Sequence, residues 1–435
     1  MTTTQASVSR RDFLVKSTAV TSSLICFPYV VSAAALGKEG HVAASERIVM
    51  GVIGVGGRGR AVMGSFLQLS DAQVVAICDV NKERCQLAQR MVDEKYDQKV
   101  CKMYNHFSEL LCRPDIDAVL IASPVFWHVI MATEAAKQGK DMYMEKPVGL
   151  SFAEAKILRQ TIHRYGRVFQ FGTQQRSGRN FRFACELARN GRIGRIHTIR
   201  VGVPGGDFNK KFPQKPIPQG LDYEAWLGPA PWSPYTEAIL NGWTHELISL
   251  YSLGFISAWG VHHLDIAQWG NGTELSGPVE VEGTAVFPDE GVLDSAKSWE
   301  VNLRYPNGVT IHFTDNTKNK QGVRFEGKDG WVHVNRQGIS ASPESLLKET
   351  IGPDEIHLPV SDNHSQNLLD CVRTRQQTVA PVDVAVRSDT LCQISDIATR
   401  TGRRLKWDAV REEFVGDAQA NRYLSLRPMR SPWHL

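Results

Sequence analysis

The residues with the clearest chemical potential are a lysine and a run of glycines. Glu145-Lys146-Pro147 closes the apolar run Asp141 to Met144. A charge at the end of a buried strand belongs at the rim of a site and not in a core. Gly54-x-Gly56-x-x-Gly59 follows the continuous apolar run Ile48 to Ile53 and opens a helix-like segment that reaches Leu69. The strand–turn–helix setting gives this glycine pattern its meaning. Gly54 permits the tight turn, Gly56 lets the backbone approach a pyrophosphate, and Gly59 lets helix and strand pack closely. The free N–H groups of the helix start, with Val55, Gly57 and Arg58 in the same loop, face the anion. Asp79 ends a second strand, Gln73 to Cys78, twenty residues beyond Gly59. A carboxylate there binds both ribose hydroxyls of NAD and repels a 2′-phosphate. Arg58 keeps NADP open as the alternative. A plain cap on the following helix, Lys82 to Lys95, is the simpler reading of Asp79.

These groups need a scaffold, and the chain supplies one. Buried strands at Asp117 to Ser123, Asp141 to Glu145 and Val168 to Gly172 alternate with helices that start at His128 and Ser151. Such alternation predicts a doubly wound parallel sheet, which binds its ligand beyond the carboxyl ends of the strands. Ser123, Pro124, Glu145 and Lys146 lie at such ends, and His128 just after one; all join the expected cofactor set. Lys146 then stands where a nicotinamide ring lies, and Pro147 is a candidate cis proline. Gln174 and Arg176, in "FGTQQRSG" after the last of these strands, should face the cleft, Gln174 near the nicotinamide and Arg176 toward substrate. The simpler reading of Arg176 is a surface residue at a helix start.

At 435 residues, with 42% hydrophobic and 22% charged residues, the chain suits a two-domain globular protein. The net charge of +4 is spread along it, so nucleic acid is not an expected partner. Zinc spacings are absent from the sequence, and no metal is expected. Residues 1–36 read as a twin-arginine export signal: Ser9-Arg10-Arg11-Asp12-Phe13-Leu14-Val15-Lys16, a modestly apolar stretch Ser17 to Val31, then Ser32-Ala33-Ala34-Ala35 for cleavage. An uncleaved membrane tether is the competing reading, although the stretch is short and Ser/Thr-rich for a span. Substrates of that route cross folded, so the protein is expected in the periplasm with its cofactor already bound. Of the eight cysteines, Cys26 falls in the signal, and most of the others should be buried thiols.

"GVIGVGGRGR", "CDV", "EKPVGL" and "WGVHHLDIAQWG" together resemble the Gfo/Idh/MocA family of NAD(P)-dependent oxidoreductases, named for glucose–fructose oxidoreductase and inositol dehydrogenase. The tail, "GRRLKWDAV" to "RSPWHL", is similar to that of the family's exported members. The resemblance implies a Rossmann domain (46–170), an α/β domain with a large open, mainly antiparallel sheet (171–405), a C-terminal tail (406–435), and a dimer or tetramer. Strand-like runs at His197–Val203, Val279–Phe287, Ser298–Tyr305, Val309–Asp315 and Val323–Glu326, with a hairpin at Asn307-Gly308, agree with it.

By the same resemblance Lys146 touches the substrate hydroxyl. His262 matches a partner histidine and Asp265 the last aspartate of its motif, while Ala258 stands where the first aspartate usually is. An imidazole can take the alcohol proton and an ammonium can stabilise the alkoxide. Asp265, three residues on from His262, could orient the ring if the segment is helical. His263 and Trp259 become substrate candidates, with His245 and Tyr251 behind them. A polar pair at a helix start is the simpler reading of His262 and His263. The implied substrate is a sugar, glycoside or polyol, and the implied cofactor a tightly held NAD. An NAD-dependent glycosidase and a non-catalytic sugar-binding protein are the alternatives. Gly205 to Pro234, rich in Gly, Pro and aromatics, reads as an arm or a lid.

Overall fold

The computed structural model describes residues 42–206 and 211–435, so the expected export signal lies outside the described residues. Residues 42–47 hold one short 3-10 turn, Ala44–Glu46; everything below concerns the single compact unit Ile48–Leu435.

Six strands form a parallel sheet: β1 (Ile48–Ile53), β2 (Ala72–Cys78), β3 (Lys102–Tyr104), β4 (Ala118–Ile121), β5 (Asp141–Met144) and β6 (Phe169–Phe171), in the order β3-β2-β1-β4-β5-β6. The order reverses between β1 and β4, which puts the ligand crevice there. Every residue of β4 and β5 is buried, as expected where helices cover both faces of a parallel sheet. Helix starts are set locally. Ser151 and Glu154 form a reciprocal capping box for the helix Phe152–Tyr165, and Asn81 caps Lys82–Tyr96 through the Arg84 amide.

The second sheet has nine strands and is antiparallel except for one parallel pair. It contains β7 (Ile196–Val203), β8 (Glu280–Val286), β9 (Ser298–Arg304), β10 (Thr310–Asp315), β11 (Gly322–Gly327), β12 (Trp331–Asn335), β13 (Gly338–Ser342), β14 (Leu405–Asp408) and β15 (Glu413–Phe414), with β7 parallel to β10. In β9 buried and more exposed residues alternate, the pattern of a sheet with one face in water. Asn307-Gly308 does form the β9–β10 hairpin, with Gly308 at φ +87°. The expected fold class is the one observed.

The carboxyl-terminal half returns to the first sheet. Leu368 and Leu369, on the helix His364–Thr374, share a core with Val52 and Phe66. The long helix Val382–Thr401 reaches the loop after β5: Asp389 accepts from the Val148 amide at 3.1 Å, and Gln393 donates to the Gly149 carbonyl at 3.0 Å. In the segment expected to be an arm or a lid, residues 207–210 are outside the described set, residues 213–220 are exposed, and the stretch from Gly220 to Trp226 is tied to the first domain. Asp222 and Lys82 are tied across it, Asp222 N to the Val80 carbonyl and Lys82 N to the Gly220 carbonyl, each at 2.9 Å. Of the seven cysteines described, six are buried free thiols and Cys112 is exposed. No described helix is long and apolar enough to cross a membrane.

Candidate active site

A cleft of about 1190 Å³ opens at the carboxyl ends of β1, β2, β4 and β5. Its floor is the glycine loop. Gly54 has φ +83°, and a Cβ there would sit 2.6 Å from the Ala122 carbonyl carbon. A Cβ on Gly59 would lie 1.9 Å from the Gly54 oxygen, so helix and strand touch only because both residues are glycine. Gly57 has open space around it at the first turn of the helix Gly57–Leu67. The cradle therefore fits a pyrophosphate on a helix N-terminus. Val55 contributes differently from the expectation: its side chain is buried and its amide donates to Asp79 Oδ2 at 2.8 Å. Asp79 Oδ1 accepts from the Asn81 amide at 2.9 Å. The Asp79 carboxylate thus clamps the loop while also lining the cleft. Burial pushes its pKa up, while these amides, Arg84 and Arg60 pull it down.

Three cofactor assignments need correction or refinement. Arg58 lines the cleft and is paired there with the buried Glu145 carboxylate at 2.8 Å. Arg60 and Arg84, which the sequence reading passed over, are the arginines that act on Asp79. His128 is a buried clamp away from the crevice. Its Nδ1 lies 2.7 Å from the Pro147 carbonyl and its Nε2 2.9 Å from the Ser123 carbonyl. It is not among the residues lining the cleft, whereas Ser123 and Pro124 are. Gln174 donates to Glu145 Oε1 at 2.9 Å and to the Tyr143 hydroxyl.

Lys146 sits as expected at the crevice, and the Lys146–Pro147 bond is cis. The side chain is buried, and Nζ donates to the Ala258 carbonyl at 2.9 Å. The Trp243 ring lies 5.1 Å from Nζ and Glu246 Oε1 3.9 Å from it. His262 opens the helix Gly260–Asn271 with Nδ1 buried and unpartnered. Burial, then Lys146 and Arg336, hold its pKa well below the usual histidine value, so the ring is neutral. Trp259 meets it edge-on at 5.9 Å and carries Arg336 over its own ring at 4.7 Å.

The other motif residues do different work from the expectation. Asp265 does not orient His262. Both its oxygens accept from Arg176, at 2.7 and 2.9 Å, and Ser388 donates to Oδ1 at 2.7 Å. Arg176 is consequently buried and not free to bind substrate. A guanidinium fork on a carboxylate outcompetes a neutral imidazole. His263 is buried with both ring nitrogens unpartnered, is pushed down to about 3 chiefly by burial, and does not line the cleft. Tyr251 is a core residue bonded to Ser233. Glu246, absent from the expectation, lines the cleft beside Trp243 and His245. The signal available in the sequence was a cluster of side chains in "GWTHEL", just ahead of the histidine motif.

A glycine cradle on a doubly wound parallel sheet, with a buried lysine in the same cleft, defines a dinucleotide-binding Rossmann fold. The comparisons make that specific: the chain belongs to the Gfo/Idh/MocA oxidoreductase family. The family's NAD-binding Rossmann fold matches residues 48–173 and its C-terminal alpha/beta domain matches residues 206–435. Myo-inositol 2-dehydrogenase of Thermotoga maritima is 30% identical over 270 residues, 62% of this chain and 68% of that protein. Alpha-N-acetylgalactosaminidase of Shewanella oneidensis is 30% identical over 203 residues, 43% of this chain and 44% of that protein, so the match spans less than half of that relative. The scyllo-inositol dehydrogenase structure from Lactobacillus casei, with bound NAD(H) and scyllo-inositol, covers 83% of this chain and 99% of its own at 17% identity and TM-score 0.58, a likeness of fold.

Proposed function

We propose that the protein transfers a hydride between a tightly held NAD and a hydroxyl of a sugar, glycoside or polyol. The supporting observation is the placement of Lys146: a buried ammonium in the same cleft as the glycine cradle, with its neighbours supplying one carbonyl and one carboxylate. When bound, the nicotinamide supplies the hydride acceptor or donor. Lys146 holds the hydroxyl oxygen and stabilises its developing negative charge. A base beside it takes the proton; His262, to which the motif points, is buried and does not line the cleft. Asp79 at the end of β2 favours NAD over NADP. The same reading places the protein in the periplasm after twin-arginine export, as a dimer or tetramer formed on the open face of the nine-stranded sheet. There is little free dinucleotide outside the cytoplasm, so the cofactor must be carried out in the folded chain and recycled in place.

Protein expressed with its export signal and purified without added nucleotide should release stoichiometric NAD(H) on denaturation, seen by mass spectrometry. Adding polyols or sugars should change its absorbance at the reduced-nicotinamide band. Lys146→Ala should keep the nucleotide and lose turnover by about 100-fold or more. Nucleotide that ends each turnover unchanged while a glycoside is cleaved would support the glycosidase route. Protein isolated without nucleotide and binding it only weakly would sink the retained-cofactor reading.

A further inference from the structure

Position 258 of the histidine motif is alanine, and Lys146 Nζ donates to the backbone carbonyl of that alanine. A carboxylate nevertheless stands next to the lysine. It is Glu246, from the 3-10 turn Thr244–Leu247, with Oε1 3.9 Å from Nζ. Glu246 is only 9% exposed, and its Oε2 is buried without any hydrogen-bond partner. An orphaned carboxylate oxygen at that burial is costly unless a ligand completes it. The cleft supplies the ligand space: Glu246 lines it with Lys146 and Trp243, whereas His262 does not line it.

We propose that Glu246 is the proton acceptor of this site, replacing the carboxylate missing at position 258. The inference rests on the oxidoreductase reading above and names the base within it. In the oxidative direction, a bound oxidised nicotinamide would accept the carbinol C–H pair as hydride while the C=O bond forms. The hydroxyl proton passes to Glu246, leaving a carboxylic acid. Lys146 stays an ammonium throughout and steadies first the Glu246 carboxylate and then the developing alkoxide. In the reductive direction the acid form returns the proton. Trp243 at 5.1 Å from Nζ supplies an aromatic face beside the pair, suited to the C–H face of a ring polyol.

The charged groups facing Glu246 are Lys146 and Glu145. Burial raises its pKa first, Lys146 opposes this and Glu145 adds to it. Oxidation requires the ionised form, so its rate should fall as pH drops through that raised value. Removing the lysine should move this acid limb to higher pH.

The test uses the full-length holoprotein with a polyol that the wild type oxidises. Glu246→Gln keeps an oxygen that can accept from the substrate hydroxyl and loses the base. It should bind the polyol within about threefold of wild type by calorimetry, yet lose kcat by about 100-fold or more and lose the acid limb. Glu246→Ala should lose polyol affinity as well, and Glu246→Asp should recover part of the rate. Nucleotide binding by fluorescence should be unchanged in all three, which shows that they fold. In Lys146→Met the acid limb of the residual activity should rise in pH, a check that needs no change at Glu246. Turnover of Glu246→Gln within about threefold of wild type, or an acid limb that His262→Asn abolishes and Glu246→Gln keeps, would overturn the proposal and leave the oxidoreductase reading intact. A wild type that binds nucleotide and turns over no sugar or polyol would overturn both.

Discussion

Arg176 and Asp265 occupy each other so completely that neither is left for the reaction. The guanidinium forks onto both carboxylate oxygens, Ser388 takes a third bond, and Trp269 stacks under the arginine at 4.8 Å. From the sequence, Asp265 belonged with His262, three residues away, and Arg176 with the substrate. Local spacing permits both ideas. What it cannot show is that two charges 89 positions apart meet in the core. Glu246 escaped notice for a related reason: it lies in an aperiodic stretch, and only folding brings it to Lys146. Asp265→Asn would leave a buried guanidinium short of its counter-charge. We expect stability to fall by about 3–5 kcal/mol, read from the urea midpoint, while the folded fraction still binds nucleotide. An unchanged midpoint would show that the pair contributes nothing to stability.

At the scale of elements, the first sheet was legible almost strand by strand, because parallel strands buried on both faces read as unbroken apolar runs. The glycine fingerprint, Asp79 and the rim position of Lys146 were legible with it. β12 and β13 were not, since Trp331, His333, Gly338 and Ser340 carry no clean alternation. Nor could the sequence show that the loop holding Lys146 is fixed by a helix from the far end of the chain. Asp389 on that helix accepts from the Val148 amide, and burial pushes its pKa up to about 7. A carboxyl raised in the folded state binds more protons there than in the unfolded chain, where its pKa is about 3.9. Its contribution to stability is therefore full at low pH and disappears as pH rises through about 7. Asp389→Asn keeps an acceptor for the amide and never ionises. Between about pH 4 and 7 the wild type should lose stability relative to this variant, and parallel denaturation curves at several pH values will show it. Curves that stay the same distance apart would mean that Asp389 is ionised throughout.

For the molecule as a whole, the cofactor cleft is a joint product. The first domain gives the floor, the stretch around Trp243 and Glu246 gives one wall, and the tail gives another. Arg430, Ser431, Pro432 and Trp433 line the cleft, with Arg430 paired to Glu224 at 2.8 Å. Trp433 meets Trp127 edge-on, with ring centroids 4.6 Å apart. A chain ending before Arg430 should still fold its sheets, yet release nucleotide faster by about tenfold or more, since an aromatic contact and part of a wall are gone. Dialysis followed by nucleotide assay would measure it; equal retention would free the tail of that role.

That wall also sets a clock. The glycine loop leaves the ribosome early and Trp433 late, so the growing chain displays a nucleotide cradle before it can enclose one. Full enclosure comes only after synthesis has passed Trp433.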